Sequence, residues 1–289
     1  MFTDILITGL INSGVYALLA VGFSLIFGVA RIVNIAHTAF YMVAAYMVYL
    51  MAYQWAMPYW LTIIVAVLVV TALGLLTYKF VIEPVREHET AVLIGTIAVA
   101  AILQEVFIIW FGGNYLGIPS MVSGVTEIAG VRISNQRLLT LGIVGVALVA
   151  VWYLLTQTRL GLAMRVTAED REVANLMGMN VGRIAMWTMG ISVGMAAVAG
   201  VVVAPLLVVE PLMWLHPLVI VLAIVVLGGL GSIRGSVIGA LIIGYVETIT
   251  VYALPAGAFL KEAVALSIMV IVLFLRPEGL FGVGFEEER

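Results

Sequence analysis

Cysteine is absent from these 289 residues, which excludes a disulfide framework, a thiolate nucleophile and any metal site built on sulfur. Charge is scarce as well: Asp, Glu, Lys and Arg make up 10% of the chain, where about 25% is ordinary for a soluble domain. Nor is there a basic surplus. Thirteen Lys and Arg against 16 Asp and Glu leave a formal charge of −3, so nothing here tracks a phosphate backbone and no nucleic acid is expected as a partner. Neither Lys79 nor Lys261 sits in a Gly-x-x-x-x-Gly-Lys-Ser/Thr loop, so the chain is expected to bind no nucleotide in the P-loop manner. A His-Glu-x-x-His zinc pattern is also missing, and no metal site is expected.

What fills the chain is apolar. Hydrophobic residues make up 64% of it, with 29 Gly and 14 Met, a composition suited to close and adaptable helix packing. At about 20 apolar residues per crossing, this is enough for roughly nine spans and leaves no room for a separate soluble domain. Apolar runs occur at 5–28, 35–53, 60–78, 91–111, 138–156, 184–209, 216–232, 236–253 and 261–275. The expectation is an all-α polytopic membrane protein of eight or nine transmembrane helices, with residues 1–289 forming one domain. The first run has no basic residue before it and exceeds a signal-peptide core, so it reads as a retained span. Runs 216–232 and 236–253 are short and Gly-rich, and can be two spans or the arms of a re-entrant or broken hairpin.

Basic residues set the orientation. With loop 157–183 in the cytoplasm, Arg31, Lys79, Arg86, Arg159, Arg165, Arg171, Arg183, Arg234, Arg276 and Arg289 fall inside and Arg132, Arg137 and Lys261 outside. The amino terminus is then external, the carboxyl terminus cytoplasmic, and 112–136 is the main external loop. In that loop Val131 to Ser134 alternates in the manner of a short strand.

Polar groups inside apolar runs are expensive and need partners. Asn12, Ser13, Asn34, His37 and Glu247 are such groups, and either interhelical hydrogen bonding or a translocation path explains them. Glu105 lies near the external end of its run. Small residues at four-residue spacing (Gly190 and Gly194, Ala196 and Gly200, Gly235 and Gly239, Ala240 and Gly244) mark faces where helix backbones approach. Gly228, Gly229, Gly231 and Gly235 form a glycine-rich turn.

In the long loop, Thr167-Ala168-Glu169-Asp170 has the form of a capping box, with Glu169, Asp170 and Glu172 in a first turn that favours anions. Gly178 can supply the left-handed stop. This predicts one helix from Ala168 to Met177 with Val166, Val173, Leu176 and Met177 near one face, flanked by Arg165, Asp170 and Arg171. Its acidic first turn suits a protein partner better than anionic lipid.

Glu172-Val-Ala174-Asn-Leu-Met-Gly178 resembles the Glu-Ala-Ala and following Gly of ABC importer permeases, with Val173 in place of the first Ala. Four further stretches accompany it: Gly9-Leu-Ile-Asn-Ser-Gly14-Val-Tyr16-Ala17-Leu18, Arg31-Ile-Val-Asn34-Ile-Ala36-His37, Leu227-Gly228-Gly229-Leu-Gly231-Ser232-Ile-Arg234-Gly235 and Arg276-Pro277-Glu278-Gly279-Leu280-Phe281-Gly282. Together they resemble the branched-chain amino acid ABC importer permeases, the LivH/LivM-like group, and the length is similar to the shorter, LivH-like subunit. Thr38 departs from the Gly common after the His. The resemblance implies a non-catalytic membrane subunit in the prokaryotic inner membrane that pairs with a second related permease and rests on two ATPases. Those partners use ATP and Mg, and an external binding protein delivers the substrate. It assigns ATPase coupling to Glu169, Asp170, Arg171, Glu172, Ala174 and Gly178. A gradient-driven transporter or channel is the alternative, as is an importer of the same group serving urea or short amides. Ser232 with His216 as nucleophile and base is a remoter one.

Overall fold

The computed structural model describes residues 2–128 and 130–281. Among these, seven helices are long and apolar enough to cross a membrane. They are α1 (Phe2–Ala30), α3 (Tyr59–Thr77, continued by a π-helical turn and a 3-10 turn to Val85), α4 (Glu89–Phe111), α5 (Asn135–Gln157), α8 (Val181–Val203), α10 (Ile233–Ala253) and α11 (Gly257–Leu275). Two more apolar segments lie among them: α2 (His37–Val48), which runs on as a π-helix to Gln54, and α9 (Leu215–Gly228). The chain is an all-α polytopic membrane protein whose only described sheet is a hairpin of β1 (Val125–Ile128) and β2 (Val131–Ser134), with Val125 opposite Ser134.

Glycine decides which helices lie at the centre. A Cβ on Gly244 of α10 would run into Ser13 of α1, and one on Gly9 of α1 would come within 2.5 Å of the Tyr245 ring. These two notches let α1 and α10 pack antiparallel along their length. On α8, Gly190 faces Leu75, Gly194 faces Thr71 and Gly200 presses on the Tyr41 carbonyl, so one helix seats both α3 and α2. Much of α3, α4, α5 and α11 stays exposed at the perimeter, as expected of surfaces that meet lipid or another subunit.

One expected run needs correction. The run 184–209 is helical only to Val203, because Pro205 has no N–H with which to continue the ladder. Its last residues instead form a packed non-helical segment, tied to the loop before β1 by a Leu116–Val209 bridge with N–O distances of 3.0 and 2.9 Å. That pairing gives the backbone partners that hydrocarbon cannot supply. Residues 216–253 form a hairpin of unequal arms. With 14 residues, α9 is about 21 Å long at 1.5 Å per residue, short of a roughly 30 Å hydrocarbon layer, whereas α10 with 21 residues is a full span.

The turn between these arms uses its glycines fully. Gly229 and Gly231 have φ of 98° and 82°, left-handed values that favour glycine, and a Cβ on Gly235 would strike the Gly228 carbonyl. The end of α1 rests on the same turn, since a Cβ on Gly28 would lie 3.2 Å from the Gly231 carbonyl oxygen. The segment after α11 closes the corner: Leu280 N–H donates to Leu227 O at 2.8 Å and Phe281 N–H to Gly228 O at 3.1 Å. These bonds occupy carbonyls that a helix end otherwise leaves open. Gly282 and Arg289 lie outside the described residues.

Candidate functional site

Two features face opposite ways. Near the β-hairpin, α1, α8, α9 and α10 surround a cavity of about 310 Å³ whose lining includes Asn12, Tyr16, His216, Glu247, Thr248, Arg137 and Lys261. At the other face, a polar cleft of about 860 Å³ lies between the end of α1, the 83–89 turn and the segment from Arg171 to Gly182.

The cavity is apolar along Ile11, Val15, Leu19, Val203 and Pro217, and one of its buried polar groups is a carboxylate. Glu247 is 2% exposed. Its Oε2 accepts a hydrogen bond from the Tyr16 hydroxyl at 2.7 Å, while Oε1 has no protein partner. Beside it, Asn12 Nδ2 donates to Thr248 Oγ1 at 3.3 Å, and Thr248 donates onward to the Gly244 carbonyl at 2.8 Å. Tyr16 follows Asn12 by one helical turn and Glu247 adjoins Thr248, so a single face of α1 meets a single face of α10. Toward the mouth, His216 Nε2 lies 3.1 Å from Glu262 Oε1, a contact of ion-pair length that lacks hydrogen-bond alignment.

Of the five residues considered for a path, the structure brings Asn12 and Glu247 to the cavity wall and places the other three elsewhere. Ser13 is buried against Gly244 and donates to Leu241 O at 3.4 Å. Asn34 is buried with its Nδ2 3.5 Å from the Met189 sulfur. His37 is enclosed by three helices, with Nε2 3.0 Å from the Leu19 carbonyl, Nδ1 3.3 Å from Ser192 Oγ and its ring edge-on to Phe23. These three join helices and touch no open space. Glu105 lies on an exposed face of α4. Tyr16, Thr248, Arg137 and Lys261 escaped sequence reasoning as lining, although the i, i+4 relation of Asn12 to Tyr16 was a usable signal. Ser232, the imagined nucleophile, caps α10 through Gly235 N–H at 3.1 Å. The length of α9, about 21 Å by helical rise, separates Ser232 from His216 at its other end.

On the opposite face the predicted helix is two. The first, α6 (Arg159–Glu169), is capped by Thr158, which accepts from Gly161 N–H at 3.1 Å. Asp170 then breaks the helix and caps α7 (Arg171–Leu176), its Oδ1 accepting from Glu172 and Val173 N–H at 2.8 and 3.0 Å. Thr167 is therefore no cap: it is buried inside α6 with its hydroxyl unpaired. The Asp carboxylate prevails because a charged acceptor satisfies two orphan N–H groups at once. Gly178 takes φ 80° after α7. Ala174 is fully buried and thus faces its own subunit, while Leu176 and Met177 are 87% and 73% exposed. Glu169, Asp170 and Glu172 stand around the break, and Arg171 reaches across it, its Nη1 donating to the Ala30 carbonyl at 3.3 Å.

A family model described as the branched-chain amino acid transport system permease component matches residues 5–273. The chain belongs to this family. The permease is 28% identical to the high-affinity branched-chain amino acid transport system permease protein LivH of Escherichia coli K12 over 97% of its own length and 96% of that protein. It is also 28% identical to BraD of Pseudomonas aeruginosa, a permease protein of the same description, over 96% and 94% of the two chains. Ribose import permease protein RbsC of Escherichia coli K12 is 30% identical over 48% of the permease and 40% of that protein. Among solved structures, PsaBC from Streptococcus pneumoniae in complex with Fab matches with a TM-score of 0.55 at 15% identity, covering 95% of the permease and 92% of that chain, which is a likeness of fold.

Proposed function

We propose that this permease forms the membrane pathway of an ATP-binding-cassette importer that moves branched-chain or other hydrophobic amino acids into the cytoplasm. In this reading it pairs with a second related permease in the prokaryotic inner membrane, receives substrate from an external binding protein, and is driven by two ATPases that use ATP and Mg. The chain itself is non-catalytic.

One arrangement carries the reading: a small-molecule cavity at one face and a short, outward-facing helix at the other, joined by α1. At about 310 Å³, the cavity is at the small end of the roughly 300–1,000 Å³ common for ligand sites. On the other face, Val173 and Leu176 of α7 and Met177 just after it stay exposed beside a cleft containing Arg31, Arg86 and Arg171 together with Glu83, Glu87 and Glu89. A protein surface fits such a mixed, partly apolar patch. The described basic residues Arg31, Lys79, Arg86, Arg159, Arg165, Arg171, Arg183, Arg234 and Arg276 belong to the α7 face, against Arg132, Arg137 and Lys261 on the β-hairpin face. This asymmetry supports a cytoplasmic α7 and an external amino terminus.

Reconstituted vesicles test the proposal. Uptake of labelled leucine should require ATP inside, the binding protein outside and both sets of subunits. A panel extended to polar amino acids, urea and ribose should show lower rates. Buried Glu247 gives the gradient-driven alternative its one supporting observation, and uptake powered by a proton gradient without ATP would favour it.

A further inference from the structure

The Glu247 carboxylate is only half satisfied. A buried acceptor without a donor carries its full desolvation cost. Here Tyr16 supplies Oε2 at 2.7 Å, nothing in the protein supplies Oε1, and the residue lines an open cavity while remaining 2% exposed. Glu247 is the acidic residue of the cavity lining. Cations are placed elsewhere on the same wall: Arg137 at the start of α5 and Lys261 at the start of α11. The rest of the lining mixes aliphatic Ile11, Val15, Leu19 and Pro217 with polar Asn12, His216 and Thr248.

We propose that this cavity is a transit site for the amino acid itself, taking its ammonium on Glu247, its carboxylate toward Arg137 and Lys261, and its apolar side chain against α1 and α9. The proposal rests on the importer reading and adds the residues that hold the substrate. A zwitterion has no net charge but two poles that hydrocarbon rejects, and the cavity offers one partner for each. The Tyr16 hydroxyl matters to the strength of the site. By already donating to Oε2 it withdraws part of the carboxylate's charge, which favours a weak, readily released complex over a tight cage.

Saturation-transfer NMR on the complete complex in nanodiscs, without the binding protein, tests this with three probes: leucine, isoamylamine, which keeps only the amine, and 4-methylvalerate, which keeps only the carboxylate. The native complex should bind all three at millimolar concentration. Glu247→Gln should weaken leucine and isoamylamine at least tenfold and leave 4-methylvalerate unchanged. The double variant Arg137→Met with Lys261→Met should do the converse, weakening leucine and 4-methylvalerate but not isoamylamine. An assembled Glu247→Gln complex that binds leucine like the native one overturns the proposal, as does a native complex that binds no isoamylamine. If Glu247→Gln does not assemble, the native panel and the double variant decide, and leucine binding unchanged in the double variant refutes the assignment. ATP-driven leucine uptake by the same native complex, reconstituted into vesicles with the binding protein outside, separates the outcomes: uptake without Glu247-dependent binding removes only the transit site, whereas no ATP-driven uptake removes the importer reading.

Discussion

Arg171 on α7 donates to the backbone carbonyl of Ala30 at the end of α1, Nη1 to O at 3.3 Å. A basic side chain at a helix carboxyl end meets both the open carbonyls and the negative end of the dipole. The short helix proposed to receive motion from an ATPase is thus bonded to the helix that carries Asn12 and Tyr16 in the cavity. Arg171→Met should leave the complex assembled and ATP hydrolysis running while lowering leucine moved per ATP several-fold. Arg171→Lys should recover part of the loss. Paired uptake and phosphate-release measurements read the ratio.

Leu176 and Met177 are the most exposed apolar side chains of this segment, so their replacement disturbs little inside the subunit. Leu176→Asp with Met177→Asp should leave insertion and thermal stability unchanged and cut recovery of the ATPases on purification of tagged permease. Full recovery would place the docking surface elsewhere.

His37 acts as a peg between α1, α2 and α8, and a Cβ on Gly22 would lie 3.1 Å from its ring. Removing it leaves a void and the Ser192 hydroxyl without its partner, at about 1–3 kcal/mol for the unsatisfied buried group alone. His37→Ala should lower the unfolding temperature in detergent far more than Ser192→Ala, with no change in substrate preference.

Gly244→Val drives a branched side chain into Ser13 of α1. Because α1 and α10 form the cavity wall together, the expected result is loss of folded permease, seen as aggregation in gel filtration. Gly142→Val, where added atoms meet nothing within 4 Å, should be recovered normally.

Orientation can be read directly, since the chain contains no Cys. Ser123→Cys and Arg183→Cys, both at exposed positions, should react with an impermeant maleimide only from outside and only from inside, respectively. Reaction of both from one side would reverse the assignment.

The apolar runs made the helix set legible, because a bilayer demands long continuous stretches and nothing else in the chain produces them. The strand at Val131 to Ser134 was equally plain from its alternation. The inside of the bundle was not. Asn12 and Ser13 are adjacent polar residues in one run, yet the 100° step between helical neighbours sends one into the cavity and the other into Gly244. No local pattern distinguishes them; only the position of α10 does. The break at Asp170 was hidden for a related reason. Thr167 and Asp170 are both competent caps, and the choice between them depends on α6 continuing from Thr158 and burying Thr167. The Arg171 bond to Ala30 spans 141 positions and leaves no trace in either segment alone.

The corner where Gly28, Gly231 and Leu280 meet has a consequence for biogenesis. Shorter than the hydrocarbon is thick, α9 cannot hold a transmembrane position by itself, and its terminal carbonyls at Leu227 and Gly228 are occupied by N–H groups of Leu280 and Phe281, more than fifty residues later in synthesis. Until residues 280 and 281 have been made, the α9 end of this hairpin lacks these partners. The corner is therefore completed only by a segment made well after the hairpin that it closes.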